Sequence, residues 1–282
     1  MPTKFAQNQP PQVCVIVSTY RQPDFLDRCL CALEKQTWSS FEIAIADDGS
    51  GDETRAVIED HSKRSANRIR HVWQEDDGFR KTLILNKAIL ATQAEYLVFM
   101  DGDCIAHPGF IAEHVKASEP GHYVNGSLIR LGEAVSDRIT RDAIESGDAF
   151  RASWLSRQGD GFNRRYLRLS LSYGMRCWLN RRSSTKLYWL GSNSSCYRAD
   201  AVTVNGFDHR FTYGFEDGDY GYRLENYGLV PKTVRWTAVV LHLWHGRPWS
   251  NPEVLEQNRA LMVEKKPGGR HRAIVGLEEL QG

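Results

Sequence analysis

The 282-residue chain carries 36 basic and 35 acidic residues, which gives a formal net charge of +1. This balance provides no whole-chain attraction to nucleic acid, so we expect no nucleic-acid partner. The opening segment "MPTKFAQNQPPQ" lacks the apolar core of a signal peptide, and no segment approaches the ~18 uninterrupted apolar residues of a membrane span. Six scattered cysteines without a CxxC pair fit reduced thiols that pack in a core. The sequence therefore predicts a cytoplasmic protein.

Strand and helix patterns alternate through the first hundred residues. The segments "VCVIVSTY" (13–20), "FEIAIADD" (41–48), 69–73 and "YLVFMDGDC" (96–104) read as strands, and "PDFLDRCLCALEKQ" and "TLILNKAILATQ" read as helices. A further helix is expected to start at Ser50, which has capping-box spacing to Glu53, and to run towards His61. This alternation predicts an α/β fold with a mostly parallel, doubly wound sheet, whose ligands bind at the carboxyl ends of the strands.

The second half begins with a basic segment. Residues 151–186, the basic insert, hold nine basic residues and the single acid Asp160, interleaved with aromatic side chains. Its leucines predict helices rather than disorder. We expect five arginines to face an anionic lipid-linked acceptor or the membrane surface, and a solvated helical face is an equally weighted alternative. They are Arg164, Arg165, Arg168, Arg181 and Arg182.

Three segments follow the insert. "YWLGSNSSCYRADAVTVNGFD" reads as a strand, a turn and a short helix, and "TVRWTAVVLHLWH" reads as a final strand that enters a histidine pair. Residues 246–282 are polar and are expected to form a terminal helix with a loose tail.

Carboxylates follow two of the predicted strands. Asp101-Gly102-Asp103 suits a divalent cation whose shell a substrate phosphate completes, because Mg²⁺ and Mn²⁺ take oxygen ligands and glycine lets a diphosphate approach the backbone. A polar turn explains the same triplet equally well. Asp47-Asp48 could accept hydrogen bonds from a ribose or a base, although taken alone it is better explained as a turn before a helix. Neither GxGxxG nor a P-loop is present, so phosphate binding would depend on metal and basic residues.

Two further clusters lie near the end of the predicted domain. "YGFEDGDYGYR" holds Glu216 and Asp217 among glycines, where a carboxylate can act as a general base for a hydroxyl nucleophile. An acidic loop is the alternative, and the spacing does not match an EF-hand. His242 and His245 follow a strand, where a neutral imidazole can complete a metal shell. Strand alternation would place them on different faces, so at most one is expected to bind metal.

Together these motifs resemble the GT-A glycosyltransferases of family 2. The matching segments are "VIVSTYRQPDFLDRCLCAL", "ADDGSGDET", "QEDDGFRKTLILNKAI" and "DGD". Residues 189–228 are similar to the galactosyltransferase-type C-terminal module of β-1,4-galactosyltransferases and bacterial chondroitin and hyaluronan polymerases. The resemblance implies a single compound GT-A domain over 12–250. Its nucleotide-binding half would be 12–104 and its acceptor half 105–250, with 251–282 as helix and tail.

The resemblance also implies roles for individual residues. Asp217 would be the base and Glu216 would hold a sugar hydroxyl, while Asp103 with His242 or His245 would bind Mn²⁺ or Mg²⁺. The nucleotide-sugar would be bound by Thr19, Tyr20, Arg21, Asp48, Arg80, Asn86, Asp101 and Gly102. Tyr213-Gly214-Phe215 departs from the tryptophan and small residues usual before the Glu-Asp pair, which leaves the acceptor platform open.

The implied reaction is metal-dependent, inverting transfer of one sugar. UDP-Gal, UDP-GalNAc, UDP-Glc or UDP-GlcNAc would be the donor, and a hydroxyl of a glycan or lipid-linked acceptor in bacterial cell-envelope polysaccharide or lipopolysaccharide synthesis would receive the sugar. "KTVRW" replaces the QxxRW of processive synthases without membrane spans after it, which favours a single transfer. A retaining GalNAc-type transferase, a non-catalytic nucleotide-sugar-binding module and a nucleotidyltransferase are the alternatives.

Overall fold

Buried strands with β-branched and small side chains form the centre of the protein. The computed structural model describes residues 12–161, 163–183, 188–246 and 251–281. The strands are β1 Val13–Thr19, β2 Phe41–Asp47, β3 Ile69–Trp73, β4 Tyr96–Asp101, β5 Cys104–Ala106, β6 His122–Asn125, β7 Ser127–Arg130, β8 Ser194–Tyr197, β9 Val230–Thr233 and β10 Val239–His242. Seven of them form a mixed sheet in the order β3-β2-β1-β4-β8-β6-β9. Strands β1 to β4 are parallel, as the sequence predicts, and β8 runs antiparallel to β4 and β6.

A second, three-stranded sheet has the order β5-β10-β7. Strand β10 pairs antiparallel with β5 and parallel with β7. The predicted final strand is therefore shorter than expected and belongs to this sheet, whereas the preceding "VPKT" forms β9 of the large sheet. The sequence analysis did not predict β5, β6 or β7, since each has only three or four residues.

Helices cover both faces of the large sheet. They are α1 Pro23–Glu34, α2 Asp52–Arg64, α3 Lys81–Ala91, α4 Phe110–Ala117, α5 Glu133–Ser136, α6 Arg141–Glu145, α7 Ala152–Leu155, α8 Leu167–Ser170, α9 Tyr173–Arg182, α10 Arg198–Thr203, α11 Glu216–Tyr227 and α12 Pro252–Leu261. Alternation along β1 places Val13, Val15 and Val17 against α1, α2 and α4. Cys14 and Ile16 pack on the other face, with α3, α10 and α11. The helices that pack on the two faces of the sheet meet at the carboxyl edge of the parallel strands, where ligands are expected to bind.

The start of α2 differs from the sequence prediction. Gly51, not Ser50, is the N-cap, and no side chain caps this end of the helix. The Ser50 hydroxyl instead accepts a hydrogen bond from the Arg21 N–H at 2.8 Å. A capping-box spacing was thus present, but the serine links the loops after β1 and β2.

The basic insert is helical where the structure describes it. Short helical segments, including α7, α8 and α9, occupy it as predicted, and Ser184 to Lys186 lie outside the described residues. Arg168 is buried and donates to the Leu128 carbonyl at 3.2 Å, so it does not face solvent as expected. The arginines at 164, 165, 181 and 182 are exposed. The insert is therefore anchored on β7 by one arginine and presents the other four outward.

All six cysteines are free. Five of them are buried, as predicted for packing residues, whereas Cys177 on α9 is only partly buried. Among the described residues, no helix is long and apolar enough to cross a membrane. The first eleven residues, which the sequence analysis found to lack a signal core, lie outside the described range.

The C-terminal tail is packed rather than loose. Helix α12 forms as expected, and beyond it the side chains of Val263, Ala273 and Leu277 are buried. Leu277 joins the cluster that contains α3, α10 and α11. Asn205 holds the tail by donating to the Ala273 carbonyl and accepting from the Glu278 N–H. The buried apolar residues of this tail are separated by polar ones and follow no clear helical or strand period. The sequence therefore predicted a loose tail, and this prediction was wrong.

We expect Leu277→Ala to lower the free energy of unfolding by about 2–5 kcal/mol, because it removes buried apolar volume from a closed cluster. The matched control is Ile274→Ala in the same tail, whose side chain is 53% exposed and whose truncation should cost less than about 0.5 kcal/mol. Urea unfolding monitored by tryptophan fluorescence measures both. Equal stability of the two variants would contradict the packed tail.

Candidate active site

An open cleft of about 470 Å³ lies at the carboxyl edge of β1, β2 and β4. The chain brings ten of the thirteen predicted site residues to its walls: Thr19, Tyr20, Asp48, Asp101, Gly102, Asp103, Glu216, Asp217, His242 and His245. The other three, Arg21, Arg80 and Asn86, do not line it.

The two aspartates of the DGD triplet have different partners. One Asp101 oxygen accepts from the Ser18 hydroxyl and from the Lys81 ammonium, both at 2.6 Å. Gly102 passes close to β1, and a Cβ there would lie 3.1 Å from the Ser18 carbonyl oxygen and 3.2 Å from the Thr19 hydroxyl. The glycine therefore lets the end of β4 pack closely against the end of β1.

Asp103 faces both histidines. Its Oδ2 lies 2.8 Å from His245 Nε2 and 3.7 Å from His242 Nε2. One ligand atom from each of the three residues can be chosen so that all lie within 4.8 Å of one another. Burial alone would raise the pKa of Asp103, but the two histidines lower it below its usual value. Strand alternation does not apply to His245 because β10 ends at His242, so the chain can turn the second imidazole to the same place.

The pairing of β5 with β10 fixes this arrangement. Cys104, the residue after Asp103, lies opposite His242 in the antiparallel register. The Leu243 N–H also donates to the Asp103 carbonyl at 3.0 Å. The cluster therefore depends on backbone hydrogen bonds of the small sheet as well as on its side chains.

Asp48 lies at the end of the neighbouring strand and is 6% exposed. Its carboxylate accepts from the Gln74 amide at 2.6 Å and from the Arg80 N–H at 2.8 Å. Burial raises its pKa above the ordinary value, and these hydrogen bonds oppose the rise. Asp47, by contrast, is fully buried and contacts His71 at 2.8 Å, so it supports the loop from below.

The three remaining predicted donor residues act around the cleft rather than in it. Arg21 pairs with Asp76 at 2.5 Å, and Arg80 pairs with Asp77 at 3.1 Å. Asn86 is fully buried, where its amide donates to the Phe207 carbonyl at 2.7 Å and accepts from the Phe207 N–H at 2.8 Å. Its structural role here is to hold a loop, and a motif match could not distinguish that role from ligand contact.

A sharp turn places Glu216 and Asp217 at the first turn of α11. Gly214 and Phe215 both have left-handed backbone conformations, with φ of 97° and 69°. Such a conformation is uncommon for a bulky residue and indicates a constrained position. The Gly191 N–H donates to Asp217 Oδ2 at 2.9 Å, and the Phe79 and Tyr213 rings meet edge-on with centroids 5.5 Å apart. The aromatic contact joins the loop before α3 to the loop before Glu216.

Burial and neighbouring negative charges raise the pKa values of the two carboxyl groups, with Asp217 acting on Glu216 and Asp101 acting on Asp217. Burial, followed by the charge of Asp217, raises the pKa of Glu216 to about 7. Burial also raises the pKa of Asp217, while the charge of Lys81 opposes both shifts. Perturbed carboxyl groups in a cleft are typical of catalytic sites.

Lys81 was not predicted as a site residue. It is the first residue of α3 and its side chain is 19% exposed within the cleft. A cation at a helix N-terminus opposes the helix dipole, and no acidic residue lies in that first turn. A lysine at the start of a helix that has no acidic residue in its first turn indicates that an acidic residue from elsewhere in the chain compensates the lysine charge. Arg130 of β7 also lines the cleft and was missed, because β7 itself was not predicted.

Solved structures confirm the type of fold. The mannosyltransferase PcManGT from Pyrobaculum calidifontis, solved with GDP-Man and Mn²⁺, aligns with a TM-score of 0.56 and 16% identity over 88% of this chain and 62% of that one. TarS of S. aureus aligns with a TM-score of 0.59 and 14% identity over 90% of this chain and 41% of that one. The protein has the GT-A fold, as the sequence predicts.

Sequence comparison identifies the family. The glycosyl transferase family 2 model matches residues 14–189, so the chain belongs to this family. Validoxylamine A glucosyltransferase from Streptomyces hygroscopicus subsp. limoneus is 31% identical over 94% of this chain and 59% of the relative. Hyaluronan synthase from Pasteurella multocida is 22% identical over 78% of this chain and 23% of the relative. The chain thus spans about three fifths of the length of validoxylamine A glucosyltransferase and about a quarter of the length of hyaluronan synthase.

Proposed function

We propose that the protein is an inverting glycosyltransferase that moves one hexose from a UDP-sugar to a hydroxyl of a glycan or lipid-linked acceptor. The observation that carries this proposal is the cleft itself. Asp48, Asp101 and Asp103 from the parallel strands meet the Asp217 carboxylate and two histidines around one volume. Membership of family 2 and the relatives named as glycosyltransferases support the same reaction class.

The donor would occupy the side of the cleft formed by β1, β2 and β4. Thr19, Tyr20 and Asp48 would surround the uridine, and Gly102 would admit the diphosphate. Asp101 would approach the ribose or the sugar with the oxygen that Lys81 and Ser18 do not occupy. Arg21 and Arg80 would act by holding the surrounding loops. Because a relative is named a glucosyltransferase, UDP-glucose is the first donor to test, followed by UDP-Gal, UDP-GalNAc and UDP-GlcNAc.

The ligand set of Asp103, His242 and His245 fits a divalent cation. One carboxylate and two imidazoles approach one another closely enough to bind one ion. Mg²⁺ prefers an all-oxygen shell, so the two imidazoles favour Mn²⁺ over Mg²⁺. When bound, the cation supplies positive charge that stabilises the departing diphosphate.

Asp217 would act as the general base. The acceptor oxygen attacks the anomeric carbon opposite the diphosphate, and Asp217 takes the hydroxyl proton. The bond from the anomeric carbon to the acceptor forms while the bond to the phosphate oxygen breaks, and its electron pair leaves with the diphosphate. One displacement of this kind inverts the anomeric centre. Glu216 would bind a sugar hydroxyl beside it.

The acceptor would reach the cleft from the side of β7, α11 and the basic insert. A cell-envelope polysaccharide or lipopolysaccharide precursor is the acceptor class that we infer, because the exposed insert could hold the protein on an anionic membrane. Helix α9 has no buried residue and exposes Tyr173, Met175 and Trp178, with the Arg182 guanidinium 5.7 Å from the Trp178 ring centroid. Aromatic side chains combined with arginines match an anionic lipid surface.

The first test is transfer itself. Incubation with each UDP-sugar, Mn²⁺ and a panel of glycoside acceptors should release UDP, and Asp217→Asn should lower kcat by about 10²–10⁴-fold, the usual contribution of a positioned base. UDP binding should be unchanged in this variant. The matched control is Asp52→Asn, a carboxylate of α2 whose side chain is 94% exposed. Transfer by Asp217→Asn at the wild-type rate would contradict the base, and retention of the donor's anomeric configuration would contradict inversion.

The second test is metal binding. His242→Ala and His245→Ala should each weaken Mn²⁺ binding in the presence of UDP by at least about 10-fold, because even partners behind a ligand contribute that much. Isothermal titration calorimetry with Mn²⁺ measures the change, and His122→Ala, outside the cleft, serves as control. Unchanged Mn²⁺ affinity in both cleft variants would show that the ion binds elsewhere.

The third test concerns the membrane surface. Reversal of Arg164, Arg165, Arg181 and Arg182 to glutamate should abolish co-sedimentation with phosphatidylcholine vesicles that contain about 30% phosphatidylglycerol. Each cation near an anionic surface contributes ~1 kcal/mol, so loss of four attractive charges alone predicts up to ~10³-fold weaker binding. Reversal of Arg55 and Lys63 on α2 is the control. Undiminished binding of the insert variant would refute the membrane contact.

A further inference from the structure

Lys81 occupies a central place among the carboxylates of the cleft. Its ammonium lies 2.6 Å from Asp101 Oδ1, an oxygen that also accepts from the Ser18 hydroxyl at 2.6 Å. Lys81 is the first residue of α3 and Asp101 is the last residue of β4, so both residues of this ion pair belong to regular secondary structure. The position of the ammonium is therefore fixed by two buried elements and not by a mobile loop.

The charges around the cleft are unevenly distributed. Asp103 faces two histidines. Asp101, Glu216 and Asp217 instead surround Lys81. Burial alone would lower the pKa of Lys81, but the three negative charges raise this pKa well above its ordinary value. Arg130 is the other lysine or arginine that lines the cleft within the described residues, and it is exposed. Lys81 is thus the partly buried cation between the donor-side Asp101 and the Glu216-Asp217 pair.

Asp217 receives little direct support from hydrogen bonds. Its Oδ2 accepts from the Gly191 N–H at 2.9 Å, whereas its Oδ1 is buried and has no hydrogen-bond partner among the described residues. A Cβ at Gly191 would lie 2.4 Å from that oxygen, so a larger residue there would displace the Asp217 carboxylate. The charged groups that face Asp217 are Lys81 from α3, Asp101 from β4 and Glu216 beside it in α11. Of these groups, the only cation is Lys81.

We propose that Lys81 is a positioning residue, anchored by Asp101, whose charge keeps Asp217 ionised until the acceptor hydroxyl arrives. Lys81 donates no proton in the reaction: the acceptor proton goes to Asp217, and the lysine remains an ammonium throughout. This inference rests on the proposed function, because it takes Asp217 as the base. The contact with Lys81 also explains why Asp101 and Asp103 have different roles, because it occupies one carboxylate oxygen of Asp101.

The test is the pH dependence of kcat/KM, which reports the essential base in the free enzyme. Lys81→Met removes the charge and should move the acid limb of the profile up by at least about one pH unit, because a carboxylate without its cation is protonated at a higher pH. At a pH on the acid limb, activity should fall about 10-fold for a shift of one pH unit, and it should recover as the pH rises. Lys81→Arg keeps the charge and should retain the wild-type limb. Lys87→Met, on the same helix but outside the cleft, is the control.

A second measurement does not depend on turnover. Carbon-13 NMR titration of the Asp217 carboxyl group, assigned with Asp217→Asn, should show the same upward shift in Lys81→Met. If the protein transfers no sugar at all, the proposed function fails while this titration still decides the role of Lys81. An unchanged titration in Lys81→Met, or equal shifts of the pH profile in Lys81→Met and Lys81→Arg, would overturn the proposal. Lys81→Gln replaces Lys81→Met if that variant does not fold.

Discussion

Electrostatic repulsion between carboxylates is the constraint on which the rest of the cleft depends. Asp101, Asp103, Glu216 and Asp217 line one volume, and partial burial makes each negative charge costly unless a cation compensates it. Asp101 is paired with a lysine, and Asp103 faces two histidines that can share a cation with it. Under the proposed function, this division separates the residues that would bind a cation from the carboxylate that would accept a proton. Asp101 and Asp103, which are separated by a single glycine, thus have different surroundings.

The parallel half of the fold could be predicted from the sequence because three of its four strands, β1, β2 and β4, have six or seven residues and are almost entirely buried. Seven consecutive buried residues in β1 leave a continuous apolar segment that needs no knowledge of its partners. Strands β5, β6 and β7 have no such signal, since three or four residues fit a loop as well as a strand. Their formation depends on pairing with distant segments. The prediction of a loose tail was wrong for the same reason, because Leu277 is buried in a cluster formed by distant segments of the chain.

The site was predictable as a set of residue types but not as a set of contacts. Strand-end aspartates and the Glu-Asp turn carry a recognisable chemistry, and the structure brings them to one cleft. Asn86 fitted the same motif, yet both polar atoms of its amide bond the Phe207 backbone, which no spacing rule reveals. Lys81 had no motif at all. Its importance comes from the side chains that surround it, and these meet only after α3, β4 and α11 have packed together.

The small sheet explains how distant residues are held at a precision that side-chain packing alone would not provide. The pairing of Cys104 with His242 places Asp103 beside the histidine, because the aspartate immediately precedes the paired residue. A slip of one residue in this register would turn His242 to the opposite face, since side chains alternate along a strand. Strand β10 also pairs with β7, which carries Arg130 opposite His242 on the other side. The residues proposed to bind the cation are therefore positioned by strands of only three or four residues, whose backbone pairing sets the distance between Asp103 and His242.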